Sequence, residues 1–189
     1  HFSHISLTFH SFSFRQSQVG VGFWSGLYFR HNLNSPFSEV RRNVEAEINN
    51  LLTRPIQELS LPMKGITTLP PLLTSSPHIR SLVSISFPNN HLTSLPVILF
   101  GTCPNLTSLD VSGNFIASIS DEVLKAMKAS RLQHLNLSKN GLRYLPMSLA
   151  PLKGIVSLRL NKNRLDRPLN LEVLKETLTI LDLSDNRLT

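Results

Sequence analysis

Cysteine is nearly absent. Cys103 is the only one in 189 residues, which removes intrachain disulfides and cysteine-based metal centres and suits a reducing compartment. No apolar run reaches the roughly 18 residues that a membrane-spanning helix needs, so no such span is expected. Acidic residues are unevenly missing as well. None precedes Glu39, and none interrupts Lys125, Lys128, Arg131, Lys139, Arg143, Lys153, Arg159, Lys162 and Arg164, where most of the net charge of +7 resides. Aromatics are scarce beyond residue 37, where only Phe87, Phe100, Phe115 and Tyr144 remain. A basic stretch whose only interleaved aromatic is Tyr144 is a poor nucleic-acid binder, because single-stranded bases need rings to stack on. An acidic protein surface is its better complement.

What is present divides the chain. Residues 1–37 hold seven of the ten Phe and four of the seven His among many Ser, and the chain starts at His1. An acid-poor, Ser-rich leader has the composition of a transit peptide, yet Arg15 and Arg30 are its only basic side chains. Residues 19–29 (VGVGFWSGLYF) are too Gly-interrupted for a signal-peptide core. The expectation is an unstructured or non-native leader. From Ser38 a capped helix over 38–53 is expected, with Val40, Val44, Ile48 and Leu51 or Leu52 on one face.

A fixed period organises residues 54–189. The frame Leu132-x-x-Leu135-x-Leu137-x-x-Asn140-x-Leu142-x-x-Leu145-Pro146 recurs from Ile56, Leu82, Leu106, Ile155 and Leu178, at spacings of 26, 24, 26, 23 and 23 residues. That makes six repeats, the last truncated at Thr189, and the chain is expected to be a fragment. In x-Leu-x-Leu-x the side chains alternate, so each repeat supplies a short strand with leucines inward and polar residues outward. No repeat can bury its leucines alone, whereas stacked neighbours cover them. Asn90, Asn114, Asn140, Asn163 and Asn186 fall where each strand must turn away, as a structural ladder. The frame breaks at Lys64, which replaces a ladder Asn, at Ile119-Ser120, which replaces Leu-Pro, and at Pro168 in the fifth repeat. Residues 120–130 and 170–176 read as convex-side helices, the first capped by Ser120.

These repeats resemble the leucine-rich-repeat family, and the Leu-Pro pairs at 69–70, 95–96 and 145–146 are similar to its intracellular members. The resemblance implies an α/β solenoid: a curved array with a short-stranded parallel sheet on the concave face and mixed helix and turn segments on the convex face. It also implies a protein-binding role, as scaffold or regulatory adaptor, in the cytoplasm. The alternative is the recognition domain of a larger signalling enzyme or membrane receptor whose other parts lie outside this chain.

Chemistry is sparse. Ser108, His134 and Ser157 form one row across the strands with Asp110 near its end, a notional hydrolytic set. An open strand face offers neither oxyanion hole nor water-excluding pocket, so no enzyme is expected. GVGFWSG misses the third Gly of a dinucleotide loop, and His1, His4 and His10 belong to the leader. No cofactor, metal or small-molecule substrate is expected. Asn105-Leu-Thr and Asn136-Leu-Ser fit the glycosylation acceptor, but the second arises from the repeat itself. A second row runs Ser60, Ser86, Asp110, Asn136, Arg159, Asp182, with Arg159 and Asp182 placed for a cross-strand ion pair or a recognition point. The expected partner surface is His134, Asn136, Lys139, Arg159, Lys162 and Asp182.

Overall fold

The computed structural model describes residues 36–188, with side chains from Arg42 onward except that of Leu72. Six three-residue strands form one parallel sheet in chain order: β1 (Glu58–Ser60), β2 (Ser84–Ser86), β3 (Ser108–Asp110), β4 (His134–Asn136), β5 (Ser157–Arg159) and β6 (Ile180–Asp182). Each pairs with the next in the register that the repeat frame dictates, so that Leu59, Ile85, Leu109, Leu135, Leu158 and Leu181 stand side by side. Strand order equals sequence order because each repeat is one coil of a solenoid and touches chiefly its neighbours.

The core is a continuous row. The central residue of each strand from β1 to β5 is buried, as are the leucines or their equivalents two positions on, Leu61, Phe87, Val111, Leu137 and Leu160. Full burial of one such side chain stabilises by about 1.5–3 kcal/mol, realised only once the neighbouring coil is in place. Leu181 in β6 is 37% exposed where its counterpart Leu158 is 1%.

Ahead of β1 lies α1 (Pro36–Leu51), and between the strands lie α2 (Pro71–Ser75), α3 (Ile98–Thr102) and α4 (Asp121–Lys128). Helix α1 begins two residues before the expected Ser38 cap, with Pro36 in the first helical position, where its missing N–H and fixed φ are no handicap. Val44, Ile48 and Leu52 are buried in the common core and Leu51 is exposed, which settles the face. The Val40 side chain, and the leader expected over 1–37 apart from the start of α1, lie outside the described residues.

In α4 the expected Ser120 cap forms, its hydroxyl accepting the amide of Val123 at 3.4 Å, so the serine that displaces the usual proline has a local purpose. The helix expected at 170–176 does not form. Only a 3-10 turn at Glu172–Leu174 is present, because seven residues closely following Pro168 bury one apolar side chain, Leu174, too little to support a helical nucleus.

Candidate functional site

The turn after each strand sets what the strand face presents. Each ladder Asn works across a repeat boundary. Asn114 accepts the amide of Leu92 at 2.9 Å and donates to the carbonyls of Phe87 and Val111, while Asn163 accepts from Leu142 and donates to Leu137 and Leu160. Asn90, Asn140 and Asn186 repeat the pattern. Asn90, Asn114 and Asn163 are buried, so these bonds satisfy groups that would otherwise be stranded away from water. Lys64, in the first repeat, has no earlier coil to bind, and its Nζ instead meets Glu47 of α1 at 2.7 Å.

One step before each ladder position the backbone is left-handed: Met63, Asn89, Gly113, Lys139, Lys162 and Asp185 all have φ between 52° and 65°. That row was missed in the sequence. Its signal was there in Asn89, Gly113 and Asp185, residue types that tolerate this region, but Met63, Lys139 and Lys162 concealed it.

The face itself carries two registered rows, Glu58, Ser84, Ser108, His134, Ser157, Ile180 and Ser60, Ser86, Asp110, Asn136, Arg159, Asp182. The six residues expected to meet a partner fall on this face or at its rim, but they are not equivalent. His134, Lys139, Arg159 and Lys162 are exposed. Asn136 and Asp182 are half-buried and engaged locally: Asn136 donates to Asp110 at 3.0 Å and accepts from the Ser138 amide and hydroxyl. Asp182 accepts from the Ser184 amide at 3.0 Å and hydroxyl at 2.6 Å. Asp110 likewise accepts the Ser112 amide. These are Asx turns closing the strand ends.

Three expectations change in consequence. The x-Leu-x-Leu-x alternation places Ser138 and Ser157 on the polar, outward side, yet both are buried, Ser138 with its hydroxyl bonded to Asn136. The Arg159–Asp182 ion pair does not close, because the Asp182 carboxylate is turned to Ser184. The Ser184 hydroxyl and amide are the main causes holding that carboxyl below its ordinary range, and Arg159 adds the smallest effect.

The notional hydrolytic row is also disassembled. Asp110 faces Asn136 and Ser112, not His134, and Ser157 is buried. Cys103 is buried, and desolvation raises its pKa against a smaller opposing bond from Thr102. Among the described residues no three His, Cys, Asp or Glu side chains gather where a metal could sit, and no helix is long and apolar enough to cross a membrane. His1, His4 and His10 lie outside the described residues.

Residues 104–165 match a leucine rich repeat family pattern, and residues 80–125 match its two-copy form. The chain is a leucine-rich-repeat protein. Among curated relatives, a probable disease resistance protein of Arabidopsis thaliana is 33% identical over 88 residues, covering 47% of this chain and 10% of its own length. The human leucine-rich repeats and immunoglobulin-like domains protein 3 is 33% identical over 118 residues, covering 61% of this chain and 10% of its own. This leucine-rich-repeat chain thus spans about a tenth of the length of these relatives. Among solved structures, the leucine-rich-repeat ectodomain of the receptor kinase SOBIR1 from Arabidopsis thaliana superposes with a TM-score of 0.57 at 22% identity, covering 79% of this chain and 93% of that one. At that identity the likeness supports the solenoid fold alone.

Proposed function

We propose that this leucine-rich-repeat array is a non-catalytic protein-binding module, a scaffold or regulatory adaptor, whose strand face meets an acidic protein surface. The observation that carries this reading is the open register of outward side chains across six strands, with exposed Lys139, Arg159 and Lys162 on adjacent coils. Long cationic side chains on an extended, uncovered sheet suit a broad partner better than a small substrate. His134 adds a further exposed contact beside them, while Asn136 and Asp182 shape the surface through their turns. Cytoplasmic placement is supported by the Leu-Pro repeats and by a single, buried cysteine. A second reading, that the array is the recognition part of a longer signalling enzyme or receptor, is favoured by its small share of the relatives' length.

The test is charge reversal of Lys139, Arg159 and Lys162 to Glu, against a control reversal of Lys125, Lys128 and Lys153, with binding measured to the partner recovered by pull-down. The strand-face variant is expected to lose several-fold to about a hundredfold in affinity, the range that interface charge pairs span. Loss confined to the control would move the contact to the convex side.

A further inference from the structure

The repeat frame fails at Pro168, and a cleft lies beside that departure. In the fourth repeat the order is Leu145-Pro146; in the fifth it is reversed to Pro168-Leu169. In the first two repeats the carbonyl of the Leu-Pro proline accepts an amide that starts a short helix, Leu73 on Pro70 and Leu99 on Pro96. After Pro146 and Pro168 no helix follows, and the chain reaches only 3-10 turns at Ala150–Leu152 and Glu172–Leu174. Between these two loops lies a cleft of about 380 Å³. Leu145 and Leu169, which pack on the core, help to line it, as do both prolines. Met147 lines it too and is 98% exposed, an apolar side chain that nothing in the array covers.

Charge at the rim is one-sided. The Arg167 guanidinium lies 5.3 Å from the centre of the Tyr144 ring, and among the described residues no carboxylate pairs with it. The neighbouring acids are already engaged: Asp166 with Arg143 at 3.6 Å, and Glu172 with Lys175. An arginine stacked on a tyrosine keeps its planar fork available for a carboxylate, beside a thioether that adapts to varied apolar shapes.

We propose that this cleft is a second docking site, separate from the strand face, for a short acidic peptide segment of a protein partner with one apolar anchor. The anchor enters beside Met147 and the prolines, and a flanking carboxylate meets Arg167. The size suits this occupant, since 380 Å³ falls at the lower end of ligand-binding cavities. The occupant is acidic because the one rim charge without an internal partner is positive.

The experiment is fluorescence anisotropy of the full chain with a labelled peptide of one Phe among Glu residues. Two control peptides replace the Phe by Ala, or every Glu by Lys. Binding of the Phe/Glu peptide is expected to exceed both controls by about tenfold, and Arg167→Glu and Met147→Asp should each weaken it about fivefold or more. Both side chains are exposed, so melting temperature should stay at the wild-type value, and the Arg159→Glu, Lys162→Glu double variant should bind as wild type. Absence of binding, equal binding of the Ala peptide, or an Arg167→Glu variant with full affinity would each overturn the proposal. So would loss in the strand-face variant alone, which would assign the peptide to the sheet.

Discussion

The side-chain oxygen of Asn140 accepts the amide proton of Ile116 at 3.0 Å, from the preceding repeat, while its Nδ2 donates to Val111 at 3.0 Å and Leu137 at 3.1 Å. One carboxamide therefore closes its own turn and fastens two coils. Asn140→Ala is expected to cost about 1–3 kcal/mol, because three backbone partners in a half-buried turn lose their bonds together. Asn140→Asp should be at least as damaging, since a carboxylate would face two carbonyls that require a donor. Urea denaturation of the three proteins measures this, and an Asn140→Ala midpoint equal to wild type would contradict the ladder.

At Gly113, φ is +65°, and a Cβ built there would sit 2.2 Å from the side-chain oxygen of Asn89 on the preceding coil. Gly113→Ala should destabilise by about 1–3 kcal/mol through strain and contact together. The contact share is separable. In an Asn89→Ala background the penalty should shrink, and the coupling read from the double-mutant cycle reports the clash while the remainder reports the backbone. A zero coupling energy would show that Asn89 simply swings aside.

Much of this fold was legible because its signal is repetition. The buried centres of β1 to β5, the Asn ladder and the strand register all follow from one recurring frame, and the Ser120 cap follows from the serine and acids that interrupt it. What was not legible was individual. Pro168 marked a departure, but the single 3-10 turn that follows it and the cleft beside it depend on packing between two coils. Arg159 and Asp182 were correctly placed side by side, yet the nearer Ser184, two residues along the same chain, captured the carboxylate first. A local hydrogen bond with little loop to close competes well against a long, flexible, solvated arginine. The left-handed row was hidden for a different reason: Lys139 and Lys162 are tolerated there because the surrounding ladder over-determines the turn.

Helix α1 is attached to the array in two ways, and their strengths should differ. The Lys64–Glu47 pair is partly solvated, with side chains 35% and 38% exposed, so Lys64→Met is expected to cost less than about 1 kcal/mol. Ile48 is fully buried in the shared core, and Ile48→Ala should cost about 2–5 kcal/mol. Denaturation midpoints of the two variants decide the order. A Lys64→Met variant weaker than Ile48→Ala would mean that the helix is held by charge.

The Asp182 carboxyl is held below its ordinary range chiefly by the hydroxyl and amide of Ser184. A lowered folded value means that its contribution is present above the ordinary carboxylate range and fades as pH falls through the lowered value. Ser184→Ala removes the hydroxyl and leaves the amide, so the Asp182 titration should move upward but remain below that of an unperturbed aspartate. An NMR pH titration of the Asp182 side chain reads this directly; an unmoved midpoint would place the cause elsewhere, with Arg159 the remaining opposite charge.

Lys139 allows fold and recognition to be separated at one position. Its φ of +54° is a property of the turn, and its exposed ammonium is a property of the surface. Left-handed backbone costs a non-glycine residue about 1–2 kcal/mol, and a β-branched residue more. Lys139→Gly removes that strain while adding unfolded-state freedom, so its stability should stay within about 1 kcal/mol of wild type. Lys139→Val should be clearly less stable than Lys139→Gly, although neither carries charge. Lys139→Glu keeps the same kind of backbone and side-chain branching as lysine, so its melting temperature should match wild type while the sign of the surface reverses. Thermal denaturation of the three variants therefore checks the turn, and it also establishes that the strand-face charge reversal probes recognition without disturbing the coil. Equal stability of the Gly and Val variants would show that the turn relaxes out of the left-handed region, and Lys139 would then not be fixed in place for a partner.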